Sequence, residues 1–250
     1  DSLECFEINE PMINFLLLAV LFGVTYFVAK EGPQGAAVTL FAVLFSGLIA
    51  MNFFEPLAMF FSANFMGSFE WQHRWDVIAL LMLFSGGVTL IRLMGDKLFP
   101  TYAEVSGMLY EISRWGLGLV TGYITMSILL TALHVAPLPR EFMGFTPEGQ
   151  NFLGFAAPDR QWLAFTQYVS EGSMKIGGTA RIFDGAEYPA KPTDLSTQRV
   201  WSSFPIRYAA RRELYTTGGQ ASSTAILPPG TANPPPVSNG GAPATGSGGF

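Results

Sequence analysis

Charged positions are so unevenly spread along this chain that four stretches, residues 12–29, 36–54, 77–91 and 117–133, contain no Asp, Glu, Lys or Arg. Crossing about 30 Å of hydrocarbon at about 1.5 Å per residue takes roughly 17–25 mostly apolar residues. Three stretches reach that length unaided and the third does so with its flanks. Asp76, Arg92 and Asp96 then fall near the two interfaces, where a long basic side chain reaches water and an Asp caps a helix start. The pattern predicts an all-α membrane protein with four transmembrane helices.

The polar breaks between the stretches predict how the helices connect. Lys30-Glu31-Gly32-Pro33-Gln34-Gly35 is a short turn, which makes the first two helices antiparallel neighbours and the bundle two hairpins. Glu55-Pro56 is read as the end of the second helix, because the residue before proline disfavours the helical region. Residues 57–69 then form an interfacial segment, continued by Trp71, His73 and Trp75 as an aromatic belt. In the third connection Tyr102, Val105, Leu109 and Ile112 recur at helical spacing opposite Glu104 and Glu111, the pattern of an interfacial helix. Lys30, Arg92, Lys97 and Arg114 lie in the first and third connections, against Arg74 and Arg140 on the other side. By the positive-inside rule both termini are non-cytoplasmic.

Composition divides the chain into three zones. Residues 1–138 are the membrane zone, 139–216 an amphipathic, aromatic extension, and 217–250 a Pro/Gly/Ser-rich tail that cannot bury enough surface to order itself. In the extension, Pro158-Asp159-Arg160-Gln161 reads as a helix start, followed by a stripe of Trp162, Phe165 and Val169 broadened by Leu163 and Tyr168. Trp201, Phe204, Arg211 and Arg212 belong to a later arginine-aromatic run. So many aromatics in a short, Gly- and Pro-punctuated segment cannot make their own core. Trp162, Phe165, Trp201, Phe204, Arg211 and Arg212 are therefore candidates for burial against another subunit.

Inside the membrane zone, Gly118 and Gly122 share one face of the fourth helix, and Ala42, Ser46 and Ala50 repeat every four residues on the second. Small faces let backbones approach closely in lipid, where Leu gains nothing by meeting Leu. The expectation is that the second and fourth helices form the central pair through these residues.

The order of the spans, the glycine-containing first turn, Asn52-Phe53-Phe54-Glu55-Pro56-Leu57, Asp76 heading the third span and Arg114-Trp115-Gly116-Leu117-Gly118 opening the fourth resemble the colicin V production (CvpA-type) family of bacterial inner-membrane proteins. The likeness covers residues 12–138. The first turn departs from the family, which usually carries basic residues there. The resemblance implies a multi-pass, non-enzymatic protein of the bacterial inner membrane.

Charge and chemistry narrow the function by exclusion. A net charge of −5, with 14 Lys and Arg against 19 Asp and Glu, gives no basic field for nucleic acid. The lone cysteine, Cys5, allows neither an intrachain disulfide nor a thiolate cluster, and Leu3-Glu4-Cys5 lacks the small residues of a lipoprotein site. No motif of a metalloprotease, serine hydrolase or nucleotide-binding loop is present. No span carries an ionisable carboxylate or amine at mid-depth, which counts against a coupled transporter. His134, closing the fourth span, is either an interfacial histidine bonded to its helix end or a ligand for haem or a chlorophyll-type pigment. The reading is thus a non-catalytic scaffold or accessory subunit that contacts lipid and other membrane subunits. Its rivals are an accessory subunit of an electron-transfer or light-harvesting complex, and a small channel lined by Thr121, Tyr123, Thr125, Ser127 and Thr131.

Overall fold

A computed structural model describes residues 10–65, 68–98, 107–139, 142–145, 150–170, 204–205, 208–209 and 212. The elements are α1 (Glu10–Ala29), α2 (Gly32–Asn64), α3 (Phe69–Leu98), α4 (Met108–Val135) and α5 (Pro158–Tyr168). There is no β-strand among the described residues; two isolated bridges, Phe142 with Phe145 and Phe152 with Ala156, pin the loop before α5. The helices α1 to α4 are each long and apolar enough to cross a membrane.

Two boundaries differ from the sequence expectation. Pro56 lies inside α2, which continues to Asn64. Proline removes only its own N–H, so α2 forgoes just the helical bond to the Asn52 carbonyl, which a helix packed among others tolerates. Residues 57–64 are therefore the last turns of a helix about 50 Å long, and Trp71 and Trp75 lie on α3. Leu109 and Ile112 fall in the opening turns of α4 itself, and Tyr102 and Val105 lie outside the described residues.

The pairing of helices also departs from two hairpins. α2 packs along α3 and α1 along α4, with α4 also against α2, while α1 meets α2 and α3 meets α4 over short patches only. The glycines explain which seam is which. A Cβ on Gly118 would fall 2.9 Å from the Thr25 carbonyl oxygen, and one on Gly122 2.7 Å from the Leu21 carbonyl oxygen, so both receive the main chain of α1. The expected contact of Gly122 with Ser46 is thus corrected. Ser46 faces Gly87 of α3, where a Cβ would meet its hydroxyl at 2.8 Å. Ala42, Ser46 and Ala50 are all fully buried in α2. A small face records that a backbone comes close, not whose.

α4 is consequently the wall shared by two cores. One joins α1 and α4 through Ile13, Leu17, Leu21, Met126 and Leu130, with Phe145 and Phe152 from the following loop. The other joins α2, α3, α4 and α5 through Phe54, Leu80, Phe84, Ile128 and Trp162, with Phe204 and Tyr208. The described residues of the extension, Phe145, Phe152, Trp162, Leu163, Phe204 and Tyr208 among them, are thus packed on the bundle of their own chain. Glu31, next to the α1–α2 turn, pairs with Arg92 of α3 at 2.6 Å, and Gly32 adjoins the Tyr110 hydroxyl of α4, so the first and third connections share one end. At the other end, the Asn14 side chain of α1 accepts from the Leu153 N–H at 2.7 Å.

Candidate functional site

The site forms where α5 meets the end of α4. Pro158 occupies the first turn of α5, where its missing N–H costs nothing, and Asp159 follows it, beside the positive end of the helix dipole. Helical spacing then sets Asp159, Trp162, Leu163 and Thr166 on one face, and all four are buried. The loop before α5 supplies the walls. Met143-Gly144 and Leu153-Gly154 take positive φ values (55°, 88°, 53° and 70°), the signature of mirror-image tight turns. The first turns the chain so that Phe145 enters the core.

Asp159 meets His134, the last-turn histidine of α4, with Oδ2 2.7 Å from Nε2; the side chains are 0% and 1% exposed. Phe145 stands edge-on to the imidazole at 4.9 Å between centroids, and Phe204 lies at 6.4 Å. Arg212 completes the cluster. Its Nε donates to the His134 carbonyl at 3.1 Å and an Nη to the Leu133 carbonyl, while its guanidinium lies 5.0 Å from the centre of the Phe145 ring. Carbonyls at a helix end have no partner inside the helix, so a buried α4 terminus needs such a donor. Burial lowers the Arg212 pKa to about 10, which leaves the group charged at neutral pH.

The seam continues deeper along α5. Gln161 accepts from the Tyr123 hydroxyl at 2.5 Å, and Tyr123 stands twelve residues, roughly 18 Å of helix, before the end of α4 at Val135. Trp162 fills the space left by Gly47 of α2: a Cβ there would fall 2.6 Å from the indole Cζ2 and 2.6 Å from Ile128 Cδ1. At the far end of α5 the Ser170 hydroxyl donates to Asn52 Oδ1 at 3.4 Å. Three buried atoms in this seam, His134 Nδ1, Asp159 Oδ1 and Trp162 Nε1, have no hydrogen-bond partner among the described residues.

In this geometry the Nε2 of His134 is engaged by Asp159 and its ring lies edge-on to Phe145 and Phe204. The described residues contain no group of three His, Cys, Asp or Glu that could hold a metal ion. His134 is thus bonded across to α5 through its ring, and its carbonyl accepts from Arg212. The dyad can share one proton, but Nδ1, the atom that would take a nucleophile's proton, meets no donor among the described residues.

Of the expected partner-facing residues, Trp162 (4% exposed), Phe204 (0%) and Arg212 (3%) are buried within the chain itself. This corrects their assignment to another subunit: the bundle end supplies the apolar surface they require. Phe165 is turned outward at 37% exposure, because the buried stripe of α5 runs through Thr166 instead. Trp201 and Arg211 lie outside the described residues, as does the side chain of His73. Asp159, Gly47 and the Tyr123–Gln161 bond escape a sequence reading. One signal existed: Asp159 shares a helical face with Trp162, and a carboxylate on an apolar stripe needs a buried partner. No protein-family model, no curated protein and no solved structure matches this chain.

Proposed function

We propose that the chain is a non-catalytic integral-membrane scaffold or accessory subunit of a larger membrane complex, similar to CvpA-type proteins and residing in the bacterial inner membrane. The supporting observation is that the hydroxyls of α4 and the bonds of the cluster at its end are made within the chain itself, while an apolar outer face is left over. Thr121, Thr125, Ser127 and Thr131 all donate to the carbonyl four residues earlier in α4, at 2.7 to 2.9 Å, the local bond by which a hydroxyl is satisfied inside its own helix. Asp159, His134 and Arg212 are buried, and the bonds from His134 to Asp159 and from Arg212 to the His134 carbonyl stay within the chain. By contrast only 17% of the most apolar window of α3 is buried, and Leu81, Met82, Leu90, Leu93 and Met94 are exposed.

That face of α3 meets lipid or a neighbouring subunit. The aromatic group of Phe61, Phe65, Trp71 and Trp75, with ring centres 5.2 to 6.3 Å apart, suits the headgroup level at the α2–α3 end. Lys30, Arg92 and Arg114 at the opposite end support a cytoplasmic position for the first and third connections, with both termini outside. A photo-reactive residue replacing Leu90 or Met94 in native membranes tests the reading. Crosslinking to one defined protein band is expected, and crosslinking to lipid alone removes the scaffold.

A further inference from the structure

We propose that α5 is a separable plug in the bundle, locked in place by Phe204, Tyr208 and Arg212, which act as a strap with Arg212 as the bolt. Three sets of observations lead there.

First, the bed of α5 is shaped for it, yet the fit is imperfect in one respect only. The glycine at position 47 leaves the room that the Trp162 ring occupies, at a depth where any side chain would collide. Leu163 and Thr166 are buried on the same face. Polar groups nevertheless cross the seam at Asp159, Gln161 and Ser170, and His134 Nδ1, Asp159 Oδ1 and Trp162 Nε1 are buried in it without a hydrogen-bond partner among the described residues. A buried polar atom without a partner favours any state in which water reaches it. The α1–α4 seam contrasts with this one, because its hydroxyl, Thr25 Oγ1, bonds to the Leu21 carbonyl at 2.7 Å.

Second, α5 is short. Eleven residues are too few to hold a helix in water without tertiary contacts, so plug and helix form or dissolve together. Third, the strap touches the same atoms the plug depends on. Arg212 donates to the carbonyls of His134, the residue that holds Asp159, and of Leu133. Phe204 packs against His134 and, with Tyr208, on Phe54, in the same core as Trp162 and Leu163 of α5; Tyr208 donates to Glu55 of α2 at 3.2 Å. Lifting the strap therefore uncovers the His134 ring and leaves the buried end of α4 without the donor that Arg212 supplies. A buried carbonyl that loses its donor favours the entry of water, so the strap controls whether the plug stays seated.

Thiol accessibility in the full-length chain tests this. In a background with Cys5→Ser, Leu163→Cys reports the buried face of α5, Ala164→Cys its exposed face, and Thr25→Cys the α1–α4 seam. The ratio of Leu163→Cys to Ala164→Cys labelling by a hydrophilic maleimide is expected to be low in the parent. It should rise at least tenfold on adding Arg212→Gln or the pair Phe204→Ala and Tyr208→Ala, and less with Arg212→Lys, while Thr25→Cys stays protected. If both strap variants leave Leu163→Cys as protected as in the parent, the strap does not hold the plug. If Thr25→Cys is exposed together with Leu163→Cys, the plug is not separable and the proposal fails.

Discussion

Along α4, the seam with α1 and the seam with α2 and α5 join the same helix by different chemistry. Toward α1, Gly118 and Gly122 bring main chain against main chain, and the Thr25 hydroxyl beside Gly122 is bonded within its own helix. Toward α5, the gap is filled by a tryptophan over a glycine, and polar side chains cross it. In lipid the first kind of contact gains from dispersion alone and carries no penalty for polar groups. The second joins a segment that has to be assembled after the spans, and directs it with specific bonds at the cost of buried charge. A close apolar seam suits a permanent pair; a polar seam suits a docked element.

The comparison breaks most sharply at Gly122. A leucine there would put its Cβ 2.7 Å from a carbonyl oxygen of α1, and main chain cannot rotate away as a side chain can. The expected cost exceeds the roughly 1–3 kcal/mol of ordinary overpacking, enough to abolish the cooperative thermal transition in detergent. A variant that melts like the parent would show that α1 is not fixed to α4 by this seam.

Asp159→Ala comes next. It leaves the buried His134 Nε2 without its acceptor, a change worth about 3–5 kcal/mol when a buried pair is broken from one side. Asp159→Asn, which keeps the hydrogen bond but not the charge, is expected to recover about half of the loss. Thermal melting of both variants alongside the parent checks the order. Equal melting for Ala and Asn would mean that the hydrogen bond to His134 contributes nothing.

Gly47→Ala is a smaller perturbation of the same seam. Its Cβ meets the Trp162 ring edge and the end of Ile128, and the isoleucine end can rotate, so about 1–3 kcal/mol is expected. The sharper readout is local: intrinsic fluorescence of Trp162 should shift toward that of an exposed indole before the bundle melts. Coincident transitions would join the plug to the bundle as one unit.

These seams also explain what the sequence makes visible. Long apolar runs report the spans, because no other structure hides about 20 backbone units in hydrocarbon. The stop expected at Pro56 fails because α2 is extended past it, at the loss of a single helical bond that packing along α3 outweighs. Gly118 and Gly122 are visible as a close-approach face, but their partner is set by the three-dimensional order of helices, which spacing does not encode. The burial of Trp162 and Phe204 is foreseeable from their apolarity; that the cover is the same chain depends on the loop turns at Met143-Gly144 and Leu153-Gly154. His134 and Asp159 are 25 residues apart, and only a helix folded back onto the bundle brings them together.

The smallest effect belongs to the opposite end of the bundle, where the pair of Arg92 and Glu31 offers the closest counterpart to Asp159 and His134. Their contact, 2.6 Å, is as short, but the side chains are 37% and 30% exposed, so water screens the attraction and takes over when a partner is removed. Glu31 also accepts from the Thr39 hydroxyl at 3.1 Å, which leaves it a bond after the arginine has gone. Arg92→Ala is accordingly expected to cost less than about 1 kcal/mol, a shift in the detergent melting curve well below that of Asp159→Ala. The two pairs differ in burial rather than in distance, so the two variants measured side by side isolate burial as the variable. A loss at Arg92 as large as that at Asp159 would mean that the end near the α1–α2 turn is itself enclosed, and that the contrast between a solvent-screened end and a plugged one does not hold.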